Sequence, residues 1–287
     1  MSGQSKAGEI WFPDLDVIIL RALEEDVGSG DLTTRALVEP GVWARAIIEA
    51  KETLVLAGLP VVQRIFELLE PSCVFQPTFF DGERVPAGET IAQMEGPAAI
   101  LLMGERTALN FLQHLSGIAT LTRRYVDAVQ QWGARIVDTR KTTPGLRTLE
   151  KYAVRKGGGF NHRIGLFDGI LIKDNHIEAC GGVGEAVRRA RAAVPHTVKV
   201  ETEVDRLDQL EEALAAGADI ILLDNMDVES MRTAVRMNHG RTMLEASGGI
   251  KLENVAQVAA TGVDIISVGA LTHSSPSVDI GMSLRVG

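Results

Sequence analysis

From residue 134 onward, short apolar runs alternate with amphipathic stretches. Six runs rich in β-branched residues read as strands: Ala134–Val137, Gly169–Ile172, Thr197–Val200, Asp219–Leu223, Thr242–Leu244 and Asp264–Val268. The segments between them carry a helical period. In Asp205–Ala216, for instance, Leu207, Leu210 and Leu214 recur at i, i+3 and i+7. Gly217 and Gly262 stand where a helix C-terminus favours glycine. Repeated strand–helix units imply a parallel sheet, either doubly wound or closed as a barrel. The residues at the end of each run favour the barrel. The runs lead into Asp138-Thr139-Arg140-Lys141, Lys173-Asp174-Asn175, Glu201-Thr202-Glu203, Asp224-Asn225, Glu245-Ala246-Ser247-Gly248-Gly249, and Gly269 with His273 shortly after it. All six strand ends carry polar groups, and in α/β barrels that end is the catalytic face.

The preceding residues have a different pattern. Asp14–Asp26 is helical in its spacing, with Asp14 placed as a cap. Ala44–Ala57 reads as a strand, and Pro60–Glu70 as a short helix. Cys73–Phe80 and Thr90–Met94 read as strands, with turn signals at Asp81-Gly82 and Pro86-Ala87-Gly88. A long helical region comes next over Ala98–Gln131, with a break expected near Ser116-Gly117. The expected division is an α/β domain over 1–116 and a barrel domain over 117–287, the C-terminal end being free to pack back onto the first.

Composition narrows the function classes. With 287 residues, 45% hydrophobic and 23% charged, the chain can bury a large core. A net charge of −9 argues against a nucleic-acid coat or an anionic-membrane binder. The two cysteines, Cys73 and Cys180, form no CxxC motif, which excludes a disulfide scaffold or a thiolate zinc site. The first residues lack the apolar core of a signal peptide, and apolar runs such as Ala98–Met103 are too short to span a membrane. The expected location is the cytoplasm. No G-x-G-x-x-G or P-loop opens any helix, so no organic cofactor is expected.

Within this acidic chain, residues 135–176 hold nine Lys and Arg against four acids. Some of Lys151, Arg155 and Lys156, at helical spacing, fit a solvated helix face. Arg140, Lys141, Arg163 and Lys173 do not, because they sit at strand ends or beside the Gly157–Gly159 run, where they suit a polyanionic small molecule. Ser247-Gly248-Gly249 and Gly269 end the last two strands, where barrels offer backbone N–H groups to phosphate. Glu201 and Glu203, two apart on a strand, share a face. With Asp224 they suggest either a Mg²⁺ that accompanies phosphates or ion pairs with Lys199 or Lys173.

The segment DTRKTTPGLRTLEKYAVRKGGGFNHRIGLFDGILIKDNHI (Asp138–Ile177) closely resembles the quinolinate phosphoribosyltransferase family. EDVGSGDLTT (25–34), GERTALNFLQHLSGIAT (104–120), VETEV (200–204), LLDN (222–225), EASGG (245–249) and VGALTHS (268–274) resemble it too, in family order. Thr202 departs from the family, which more usually has an apolar residue there. The resemblance implies an N-terminal α/β sandwich and an incomplete TIM-like α/β barrel. It also implies a homodimer, with assembly to a hexamer left open, and a reaction of quinolinate with phosphoribosyl pyrophosphate accompanied by Mg²⁺. Carried over by motif, quinolinate would meet Thr139, Arg140, His162, Arg163 and Lys173, with Arg106 reaching across the subunit interface. Phosphoribosyl pyrophosphate would meet Lys141, Glu203, Asp224, Ser247, Gly248, Gly249, Gly269 and His273. Glu203 and Asp224 are the candidate metal carboxylates, directly or through water, and Lys141, Lys173, Glu203 and Asp224 the candidate catalytic groups. A non-catalytic relative of the same fold, of the molybdenum-transport-associated type, is the alternative; nucleic acid and membrane are not expected partners. His114, His196 and His239 read as packing or loop residues, His176 as a site neighbour or a loop brace, and the cysteines as structural thiols.

Overall fold

The computed structural model describes residues 13–286, so Met1–Phe12, where no leader is expected, lie outside the described residues. The chain separates into two compact units: residues up to Ser116 together with those from Ser277, and Gly117–Pro276.

The first unit is built on an antiparallel sheet of order β12-β1-β5-β3, where β1 is Trp43–Ala50, β3 is Val74–Pro77, β5 is Thr90–Pro97 and β12 is Ile280–Val286. A separate pair joins β2 (Leu54–Val55) to β4 (Arg84–Val85). Along β1 the alternation is regular, with Ala44, Ala46, Ile48 and Ala50 buried on one face. The strand ends at Ala50 rather than running on to Ala57. β12, which its sequence does not announce, pairs with β1 from Ala44↔Val286 to Ala50↔Ile280. The helix Leu59–Leu69 buries Val61, Val62, Ile65 and Phe66. The helix Ala98–Val129 approaches it closely at Gly104, where a Cβ would lie 2.6 Å from the Phe66 ring. This long helix begins in the first unit and ends in the second. It has no break at Ser116-Gly117. The Ser116 hydroxyl is fully buried, donates to Ala57 O at 3.1 Å and accepts from Ala57 N at 3.0 Å, so the helix keeps its polar residue without interruption.

The second unit carries a parallel sheet of order β6-β11-β10-β9-β8-β7. Its strands are β6 Arg135–Val137, β7 Ile170–Ile172, β8 Val200–Val204, β9 Ile220–Asp224, β10 Met243–Ser247 and β11 Ile265–Ser267. Among the described residues β6 and β7 do not pair. In the second-strand position stands a single parallel bridge between Val137 and Phe160, so the barrel is incomplete. The glycines before Phe160 allow that segment to close in, since a Cβ on Gly157 would lie 2.5 Å from Ala119 O. β8 lies further along the chain than its apolar run suggests. It starts at Val200 and takes both glutamates into the strand, because its buried inner face is polar. Among the described residues no helix is long and apolar enough to cross a membrane.

Candidate active site

The C-terminal ends of the second unit's strands gather most of the expected residues, and the support for them starts below the surface. Asp138, immediately after β6, is fully buried and accepts from the Lys151 ammonium, from Asn161 Nδ2 at 2.6 Å and from His162 N at 2.9 Å. Lys151 lies on the helix Arg147–Lys156 and is only 3% exposed. It is therefore an internal cation rather than part of a solvated face, and it also donates to His162 O at 3.0 Å. Burying both charges is tolerable because each has a partner and further hydrogen bonds. The network fixes the backbone on which His162 and Arg163 stand.

Beside it, His162 and Arg163 line a cavity of about 430 Å³ that reaches down between the strands. Its walls are formed by Val137, by Ile170, Ile220 and Ile265 at the starts of β7, β9 and β11, and by Lys199 just before β8. Glu201 from β8 and Glu245 from β10 also face this space. His162 Nε2 lies 3.1 Å from Glu201 Oε2 and 3.8 Å from Glu245 Oε1, while His162 Nδ1 accepts from Arg163 N at 2.7 Å. Burial, with the charge of Glu201 beside it, pushes the Glu245 carboxyl up to about 8. Arg163 donates to Gly169 O at 3.2 Å; burial and the neighbouring Arg140 guanidinium both work against its charge.

At the rim, Lys173 comes directly after β7 and its Nζ lies 3.3 Å from Glu203 Oε2. Burial raises the pKa of Glu203 against the pull of Lys173, and the nearby Asp224 pushes in the same direction as burial. His176 braces this turn, accepting from Lys173 N at 3.0 Å. Thr139 Oγ1 accepts from Lys141 N at 3.1 Å, and Thr272 Oγ1 donates to Lys141 O at 2.7 Å. Lys141 and His273 converge on Gly269, where a Cβ would lie 3.2 Å from Lys141 Cδ and 3.1 Å from His273 Nε2. Gly248 has φ +90°, and a Cβ there would lie 2.2 Å from Asn225 Oδ1, so this turn requires glycine. Asn225 N donates to Ser247 O at 2.9 Å, and Gly249 likewise has positive φ.

Thr139, Arg140, Lys141, His162, Arg163, Lys173, Glu203, Asp224, Ser247, Gly248, Gly249, Gly269 and His273 thus all belong to one end of one unit. Arg106 belongs to the other unit, exposed on the helix Ala98–Val129. Sequence reasoning passed over Asp138 and Asn161 as site builders, and took Arg147 only as a residue whose presence argues against a non-catalytic relative. Arg147 donates to Thr142 Oγ1 at 2.9 Å, Ile164 O at 3.0 Å and Arg140 O at 3.3 Å. It noted Glu245 only as a polar strand ending. An acid directly after or inside an apolar strand run was the available signal for Asp138 and Glu245.

Comparison with known proteins gives the same architecture. Residues 31–116 match "Quinolinate phosphoribosyl transferase, N-terminal domain" and residues 118–283 its C-terminal domain. The chain is 48% identical over 262 residues to a probable nicotinate-nucleotide pyrophosphorylase [carboxylating] of Bacillus subtilis, covering 91% of this chain and 90% of that one. It is 46% identical over 272 residues to the nicotinate-nucleotide pyrophosphorylase [carboxylating] of Mycobacterium leprae, covering 93% and 95%. The crystal structure of NadC from Streptococcus pyogenes superposes with a TM-score of 0.93 at 45% identity, over 97% of this chain and 99% of that one. With both domains matched in order and the polar strand ends in place, the chain belongs to the quinolinate phosphoribosyltransferase family.

Proposed function

We propose that the protein is a carboxylating nicotinate-nucleotide pyrophosphorylase of pyridine nucleotide biosynthesis. It would join quinolinate to phosphoribosyl pyrophosphate and release nicotinate mononucleotide, pyrophosphate and CO₂. The observation that carries this reading is the gathering of Arg140, Lys141 and Lys173 with Glu203 and Asp224 at the C-terminal ends of the strands, with Arg163 beside Arg140. Both substrates are multiply anionic, so bringing them together requires concentrated positive charge.

In this scheme Arg140, Arg163 and Lys173 hold the two carboxylates of the pyridine. Its nitrogen lone pair forms a bond to ribose C1 while the bond from C1 to the pyrophosphate oxygen breaks. Lys141 lies beside Gly269 and His273, positioned to meet the charge that develops on that leaving oxygen. The product pyridinium then loses the carboxylate beside the nitrogen; the electron pair left on that ring carbon is stabilised by the positive nitrogen and takes up a proton. Glu203 and Asp224 face the ribose side. These neighbouring carboxylates suit a Mg²⁺ held mainly by phosphate oxygens and water, which would supply charge neutralisation on the pyrophosphate. Arg106 is assigned to quinolinate across the interface of a homodimer.

The test uses purified protein, quinolinate, phosphoribosyl pyrophosphate and Mg²⁺, with nicotinate mononucleotide and CO₂ measured together. Equimolar products are expected; binding of either substrate without turnover would point instead to a non-catalytic relative. Arg106→Ala and Lys141→Ala are each expected to be inactive, and mixing the two to restore partial activity through hybrid dimers. Failure of complementation after subunit exchange would place Arg106 in the site of its own subunit or outside it.

A further inference from the structure

Beneath the cationic rim, Glu201 and Glu245 are 4% and 2% exposed. Neither is needed to hold a substrate in the proposed reaction, and burying two carboxylates beside each other is costly. Their geometry is set by His162. Because Nδ1 accepts from the Arg163 amide at 2.7 Å, the neutral imidazole carries its proton on Nε2, and Nε2 faces Glu201 Oε2 at 3.1 Å. The ligating atoms of His162, Glu201 and Glu245 lie within 4.8 Å of one another, a spacing that also fits a metal ion. A metal would need the Nε2 lone pair, and the proton displaced to Nδ1 would then confront the Arg163 donor. The hydrogen-bonded arrangement fits the ring as it stands, and the metal does not.

Glu201 Oε1 and Glu245 Oε1 are buried and accept no hydrogen bond. One imidazole proton cannot serve two ionised carboxylates, and burial keeps Glu245 in the acid form around neutral pH. A proton on Glu245 can then be donated to the unpartnered Glu201 Oε1, leaving Glu201 Oε2 for the His162 ring.

We propose that Glu201 is a positioning residue for the pyridine dicarboxylate: it fixes the His162 imidazole, and through Nδ1 the backbone from which Arg163 reaches the substrate. Arg163 is held from its other side by Gly169 O at 3.2 Å, so a shift at its backbone would misdirect the guanidinium. The inference rests on the proposed reaction for its substrate. The effect should therefore fall mainly on quinolinate, since His162 and Arg163 are assigned to it, whereas Glu203 on the same strand is held by Lys173 rather than by His162.

Glu201→Met, which keeps the length and loses the acceptor, is expected to raise the KM for quinolinate roughly tenfold or more, with the KM for phosphoribosyl pyrophosphate within about twofold. Glu201→Gln, whose amide oxygen can still accept from Nε2–H, should bring the quinolinate KM back to within about threefold of wild type. Equal rises in both KM values, or no rise in either, would overturn the proposal. Nitrogen-15 NMR of the His162 ring in the substrate-free protein supplies an independent readout. It is followed upward in pH until the ring is neutral because, against the effect of burial, Glu201 and Glu245 raise the ring's pKa. A proton on Nε2 that persists when Zn²⁺ is added supports the proposal. A proton on Nδ1, or a Zn²⁺-induced loss of the Nε2 proton, overturns it. If wild-type protein forms no nicotinate mononucleotide, the reaction assignment fails, while the NMR result still decides how Glu201 holds the ring.

Discussion

Lys151→Met is expected to destabilise the protein by about 3–5 kcal/mol, lowering the Tm by roughly 10 °C or more. The size reflects the groups left behind. Asp138 is fully buried, and after the substitution its carboxylate keeps only the Asn161 amide and the His162 N–H as donors. The carbonyl of His162 loses its lysine donor as well. Breaking a buried pair on one side costs far more than the pair contributes, because the remaining charge cannot return to water. Lys151→Met combined with Asp138→Leu should recover part of the loss. Recovery should be incomplete, since Asp138 also holds Asn161 and the His162 amide. Thermal unfolding of the three proteins decides the matter; a single-variant loss below about 1 kcal/mol would place Lys151 among ordinary surface lysines.

Lys151 also shows where sequence reading loses resolution. At helical spacing with Arg155 and Lys156 it looks like one of three solvated cations, and nothing local separates it from them. The distinction depends on Asp138, thirteen residues earlier, which is buried where the segment 160–162 and the helix Arg147–Lys156 meet the end of β6. Long-range pairing of this kind leaves no periodic mark. Periodicity did reveal the parallel strands, because apolar runs bounded by glycine and polar clusters directly reflect burial on two faces. It misplaced β8 for the complementary reason: Glu201 and Glu203 face inward, so an inner face that is buried reads as loop. β12 was missed because a short strand with exposed Ser283 and Arg285 resembles a polar tail until β1 supplies its partner.

The residues of the site were easier to identify than their supports. Arg140, Lys141, Lys173 and Asp224 stand at strand ends, and the barrel brings those ends together whatever the loops do. Arg147 is different: its guanidinium ties Arg140 O and Thr142 to Ile164 O, joining two loops that are separate in sequence. Gly248 lies between these cases. A glycine pair signals a turn, but the reason for it, the Asn225 side chain 2.2 Å from where a Cβ would be, belongs to a neighbouring strand end.

Lys173→Met is expected to lower kcat/KM roughly a thousandfold at neutral pH. Two effects act in the same direction. The first is the loss of a cation from a site proposed to collect two anions. The second operates through Glu203, 3.3 Å away. Burial already raises the pKa of Glu203, Asp224 adds to the rise, and Lys173 opposes both. Without the ammonium the pKa climbs further, so less of the carboxylate is ionised at a given pH. If the ionised form serves the ribose side, wild-type activity falls as pH drops through the Glu203 pKa, which lies above its ordinary value. In Lys173→Met that acid limb moves to higher pH, and part of the loss is regained as pH rises. Lys173→Arg keeps the charge and should leave the limb near its wild-type position, even if the plateau falls through altered geometry. Profiles of kcat/KM from about pH 6 to about pH 9 separate the two effects. A loss of equal size at every pH would leave only the substrate-binding cation, with no part for Glu203.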